Sequence, residues 1–151
     1  MQMNTDKSLP PTTESWGITE SNPDLTSAME IFLGKTNDEV FPLLEGNYLI
    51  RCLDLMAMPD QVFSYYGNGF AEFILEKVPD DERFGVFLGA FLDATSKRRE
   101  LSPSFWLDFW RKSHSFLERF SGRLSACKMN TDTKAELTEE LGEIRLAISP
   151  P

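Results

Sequence analysis

An all-α fold, a single compact bundle of about six or seven helices with an aromatic-rich core, is the architecture this sequence predicts. Three observations carry it. Apolar residues recur at three- and four-residue steps along most of the chain, the spacing of one helix face. Phe is common, with 12 copies, while Val and Thr do not dominate, and this favours helices packed through rings over a β-sandwich. The length of 151 residues suits one domain with a real core.

Residues 1–23 are polar and carry Pro10, Pro11 and Pro23, so they are expected to form a flexible N-terminal arm. Trp16 and Ile18 are the two residues suited to pin part of that arm. The helical domain is expected over residues 24–149. Asp24 or Thr26 caps a first helix whose inner face is Leu25, Met29, Phe32 and Leu33, and Gly34 ends it. Asn37 or Asp38 starts a short turn through Val40, Phe41 and Leu44, limited by Pro42 and broken by Gly46. A helix from about Asn47 to Ala57 is expected to point Tyr48, Leu49, Cys52, Leu53 and Met56 inward.

After the Met58-Pro59-Asp60 corner comes a helix with Val62, Phe63, Tyr66, Phe70, Phe73 and Ile74 on one side. Gly67 and Gly69 inside it each cost about 1 kcal/mol against Ala, which points to a close helix crossing or a kink. Asp80, Asp81 and Glu82 suit the positive end of the next helix, which carries Phe84, Phe87, Leu88, Phe91 and Leu92. One helix opened by Ser102-Pro103 is expected to hold Phe105, Trp106, Phe109, Trp110, Phe116, Leu117 and Phe120. Residues 125–133 read as a connection. The last helix, from about Thr133 to Ile148, aligns Leu137, Leu141, Ile144 and Ile148.

The net charge is −9, which disfavours nucleic acid and anionic membrane surfaces and favours a basic protein partner. The charge is uneven: residues 1–96 carry −11, residues 97–128 carry +5 and residues 129–151 carry −3. Cys52 and Cys127 form no zinc spacing or disulfide framework, and read as small buried hydrophobes in a reducing cytosol. No apolar signal core or membrane-spanning run is present, so a cytoplasmic location is expected.

Gly34-Lys35-Thr36 lacks the first Gly and the preceding strand of a phosphate-binding loop, and Gly67-Asn68-Gly69 lacks the third Gly of a dinucleotide site. No metal, cofactor or catalytic residue is therefore expected. His114 is the one histidine, and Glu118 lies four residues on, within pairing reach on a helix. Glu136, Glu139, Glu140 and Glu143 stand at i, i+3, i+4 and i+7, one acidic stripe beside the apolar stripe. Like charges at these steps disfavour a helix, so the stripe is the first candidate for partner binding, with Asp80, Asp81 and Glu82 second. Trp106 and Trp110 are the candidate aromatic anchors.

The run Gly34-Lys35-Thr36, Val40, Leu53 through Pro59, Phe63-Ser64-Tyr65-Tyr66, Phe70 and Phe73-Ile74 resembles a group of small bacterial proteins. Their shared pattern is a Gly-Lys-Thr step, a Met-Pro corner and Phe-x-Tyr-Tyr. The resemblance covers about residues 25–75, implies a fold signature and carries no catalytic residue. By size, acidity and helicity the chain also resembles bacterial immunity proteins, which block secreted toxins. The expected function is accordingly a non-enzymatic binding protein that neutralises a basic toxin. A helical adaptor acting as a homodimer is the alternative, and a small hydrolase or transferase using His114 or a carboxylate pair is the third reading.

Overall fold

A computed structural model describes residues 9–17 and 22–150, so the expectation for Ile18 lies outside the described residues. The described residues are all-helical, with no strand. Eight helices are present among them, where six or seven were expected: α1 (Thr13–Trp16), α2 (Pro23–Phe32), α3 (Asn37–Ala57), α4 (Asp60–Lys77), α5 (Glu82–Leu101), α6 (Pro103–Lys112), α7 (His114–Ala126) and α8 (Thr131–Ile148). The described helices group into two compact units, and the division falls between Phe70 and Ala71, inside α4.

In the first unit, Asn22 caps α2 by accepting from Leu25 N–H, with Pro23 in the first turn, so neither Asp24 nor Thr26 is the cap. Gly34 follows α2 with φ of 79°, a left-handed conformation that glycine adopts without a Cβ clash. Thr36 and Glu39 then form a reciprocal capping box at the start of α3. The expected break near Gly46 appears as a kink at Asn47, whose φ of −163° and ψ of 64° interrupt the helix. Beyond it the buried residues are Tyr48, Cys52 and Leu55, while Leu49 and Leu53 lie outward, against expectation. Facing residues seven apart with one intervening leaves a narrow seam, and the flanking leucines fall outside it.

The two tyrosines of α4 explain the Gly-Lys-Thr and Phe-x-Tyr-Tyr pattern. Tyr66 Oη shares its proton between the carbonyls of Phe32 and Lys35, each 2.7 Å away. Burial, and then the neighbouring Tyr65 and Glu39, push this phenol's pKa well up, so it remains a donor. Tyr65 Oη accepts from Asn37 N–H at 3.2 Å, and Tyr65 C=O accepts from Asn37 Nδ2 at 3.0 Å. The Asn37 side chain lies so close over Gly69 that a Cβ there would collide with its Oδ1 and Cγ. Gly69 therefore marks the close crossing that the sequence suggested. Phe32, Tyr48, Phe70 and Trp16 complete the ring cluster around Tyr66, with Trp16 fully buried at the end of α1.

In the second unit, α5 packs on α6 and α8, and α7 packs on α8. Gly85 and Gly89 keep the α5 surface low where Met129 and Leu137 press on it. The expected single helix from Ser102 to Phe120 is broken at Ser113, whose φ of −109° and ψ of 22° end α6 and start α7. Rings over more than half a helix circumference cannot all face one core. The break lets α6 bury Trp106, Phe109 and Trp110 while α7 buries Leu117, Phe120 and Leu124. Asn130, accepting from Asp132 and Thr133 N–H, starts α8 at Thr131, two residues earlier than expected.

Arg123 closes the end of α4. It donates to the carbonyls of Ile74, Leu75 and Val78 and to Asp80, and lies 4.6 Å over the Phe84 ring. Neither cysteine is in a disulfide, and both are buried. Burial raises the Cys127 thiol pKa, and its Sγ donates to Asp81 C=O. No helix among the described residues is long and apolar enough to cross a membrane.

Candidate functional site

Three helices, α5, α6 and α8, bring Arg99, Trp106, Glu140 and Glu143 to one cleft of the second unit. Arg99 lies in the last turn of α5, and Ser102-Pro103 reverses the chain so that Trp106 falls beneath it. The guanidinium carbon sits 4.4 Å from the centre of the Trp106 ring, a cation–π contact. Among the described residues Arg99 has no carboxylate in ion-pair reach. From α8, the period that buries Leu137, Leu141 and Ile144 sets Glu140 and Glu143 beside Trp106.

The cleft has two parts that share the wall made by Arg99 and Trp106. The smaller, of ≈ 60 Å³, is bordered by Leu92, Ser96, Glu140 and Glu143 as well. The larger, of ≈ 290 Å³, is completed by Pro103, Leu107 and Ala147 and is apolar apart from the shared wall. Trp106 is 3% exposed, yet its Nε1–H finds no acceptor among the described residues. A buried donor without a partner costs about 1–3 kcal/mol. Trp16 and Trp110 share the lack of an acceptor, but neither lines the cleft.

The electrostatics of the smaller part are strained. Burial raises the Glu140 carboxyl pKa, and the nearby charges of Asp93 and then Glu143 add to the effect. None of Glu136, Glu139, Glu140 and Glu143 is in an ion pair among the described residues. Glu136, Glu139 and Glu143 are exposed and Glu140 is half-buried. The stripe is therefore present as read from sequence, and two of its members enter the cleft.

The second acidic candidate is employed differently. Asp80 pairs with Arg123. Asp81 caps α5 through Arg83 N–H and takes both ends of the Arg83 guanidinium; these hydrogen bonds lower its pKa. Glu82 accepts from Asn130 N–H at 3.1 Å. The expected three-acid first turn of α5 is thus one cap, one helical acid and one preceding residue. Trp110 is fully buried, edge-on to Phe91 and Phe109, and presents no ring to a partner. Glu118 joins Arg145 at 3.1 Å, not His114, which stands exposed at the start of α7.

Sequence reasoning missed Arg99 and Asp93. Arg99 meets Trp106 across a helix reversal, so no single helical period relates them. The signal within reach was a basic residue in a final turn followed by Ser-Pro and a Trp. No group of three or more His, Cys, Asp or Glu side chains among the described residues is arranged to hold a metal. The sequence matches no protein-family model, and no curated protein or solved structure matches it.

Proposed function

We propose that this chain is a non-enzymatic protein-binding protein that neutralises a basic partner, most concretely a cytoplasmic immunity protein acting on a bacterial toxin. The observation that supports this reading is the face of α8. Four carboxylates lie at i, i+3, i+4 and i+7 with no base paired to them among the described residues, although like charges three and four apart disfavour the helix. A basic surface docked on that face relieves the repulsion, and the acidic chain steers its approach. Small size, net charge of −9 and helicity agree with the immunity class.

The test uses the intact chain and a Glu136→Lys/Glu139→Lys/Glu140→Lys/Glu143→Lys variant as paired baits in extracts of the source cell. A basic protein retained by the natural chain, released by salt and lost with the variant is expected. The same retained proteins on both baits would falsify the α8 assignment.

Self-association is a second reading, favoured by a different surface from the tryptophans. Leu49, Ile50 and Leu53 are 45%, 44% and 58% exposed and lie side by side on α3. Sedimentation is expected to give a dimer that Leu53→Lys converts to monomer; a monomer at all concentrations removes this reading.

A further inference from the structure

The second half of α3 turns an apolar side outward. Between Tyr48 and Ala57 the buried Tyr48, Cys52 and Leu55 fix the inner side, and Leu49, Ile50 and Leu53 stand exposed away from it. The two charged residues of this stretch do not relieve that side. Arg51 and Asp54 pair with each other at 3.1 Å, and their side chains are only 17% and 14% exposed. Every exposed residue from Tyr48 to Ala57 is therefore apolar. A surface helix ordinarily sets polar groups outward, and one that is apolar all round is covered by something.

Charge decides what covers it. Residues 1–70, the span of the first unit, hold ten acidic and three basic residues, a net of −7. Burial raises the Asp54 carboxyl pKa, Arg51 opposes this, and nearby Asp24 of α2 raises it further. Asp24 is exposed, as is Glu45 just before the kink, so the face has acids at its edges and its one base is already paired. A second copy sets −7 against −7, and an isologous contact meets its own acidic edge. An anionic membrane surface is repelled in the same way. No strand edge among the described residues receives an extended peptide, and three aliphatic side chains offer no aromatic groove to a polyproline segment. Resting on the reading of a basic partner, we infer that the outer face of α3 receives one amphipathic helix of that partner. Its apolar stripe seats on Leu49, Ile50 and Leu53, and its lysines or arginines flank the stripe, toward Asp24 and Glu45.

The probe is a dye-labelled peptide of about five helical turns, with leucines along one helix face and lysines at the other positions. It is titrated into the full chain and followed by fluorescence anisotropy. One control scrambles the same residues so that no stripe forms, and another replaces each lysine by glutamate. Saturable binding of the probe is expected, about tenfold or more tighter than either control. Leu49→Ser/Leu53→Ser is expected to weaken the probe about tenfold, with unchanged helix content by circular dichroism verifying the fold. Leu53→Lys, at the most exposed of the three positions, is the second variant and is expected to act in the same direction. A Glu136→Gln/Glu139→Gln/Glu140→Gln/Glu143→Gln variant is expected to bind the probe within about threefold of the natural chain.

Equal binding of the scrambled peptide reduces the contact to bulk charge and overturns the inference. Equal binding of the glutamate peptide removes the charge argument and overturns it too, as does undiminished affinity in both α3 variants. Binding lost with the α8 variant and kept with the α3 variants places the probe on α8, against the inference. A dimer of the natural chain that the probe dissociates and Leu53→Lys abolishes gives the face to a second copy, with the same consequence. The bait experiment varies α8 alone, so its failure leaves this titration to stand or fall on the residues of α3.

Discussion

Tyr66 in the first unit and Trp106 in the second are both buried aromatic donors, and they are treated in opposite ways. Tyr66 gives its proton to two carbonyls at 2.7 Å and thereby holds the Gly34-Lys35-Thr36 turn against α4. Trp106 is nearly as buried, yet its N–H meets no acceptor among the described residues, and the residue borders a cleft together with Arg99, Glu140 and Glu143. A polar group that is satisfied internally fixes the fold; one left unsatisfied beside an opening costs stability and offers affinity. The contrast separates a region whose buried donor is answered within the fold from one that carries an unmet donor.

The comparison breaks most readily at Gly69. Ala there is worth about 1 kcal/mol in helix propensity, but its methyl displaces the Asn37 side chain and severs the Nδ2 bond to Tyr65 C=O. A net loss of about 2–4 kcal/mol is expected from overpacking and unpaired polar groups, read by urea denaturation. An unchanged or raised midpoint means that Asn37 yields freely and the first unit is less firmly held than argued.

Tyr66→Phe sharpens the same side. It leaves the ring packed and removes one proton from two buried carbonyls, so a loss of about 1–2 kcal/mol is expected by the same measurement. A loss within error assigns the turn to Gly34 and the capping box alone.

The smallest effect has the opposite sign and belongs to the second unit. Glu140 binds its proton more tightly in the folded chain than in the unfolded one. The folded chain therefore holds more protons as pH rises above the usual carboxylate range, and its stability falls through that window. Glu140→Gln is expected to gain less than about 1 kcal/mol near pH 7, given the partial exposure of the group, with the gain vanishing below about pH 4. Thermal melts at both pH values check it. A loss at neutral pH would show that the carboxylate stabilises the free chain, and that the cleft is not strained.

Helical periodicity carried the fold class and most of the core, because burial of Phe84, Leu88, Phe91, Leu137 and Leu141 is a property of single helices. It misplaced Leu49 and Leu53, since a kink at Asn47 and a narrow seam are set by what packs opposite. Ser113 carries no breaker signal of its own; the excess of rings around it was the only hint that one helix must become two. The Thr36-x-x-Glu39 box was legible and passed over in favour of Asn37 and Asp38. Of the site, the α8 carboxylates could be read because they share one helix. Their neighbours Arg99 and Asp93 come from another, and only tertiary packing relates them. Asp80 and Glu82 looked free in sequence because Arg123 and Asn130, which engage them, lie more than forty positions downstream, while Asp81 is taken up by Arg83, two positions on.

The seclusion of Cys52 and Cys127 has a practical corollary. With both native sulfurs shielded, a single thiol introduced by Glu136→Cys becomes the preferred handle for maleimide dyes or photocrosslinkers. Such a reporter sits on the outward side of α8 and watches that surface without disturbing the neighbouring cleft.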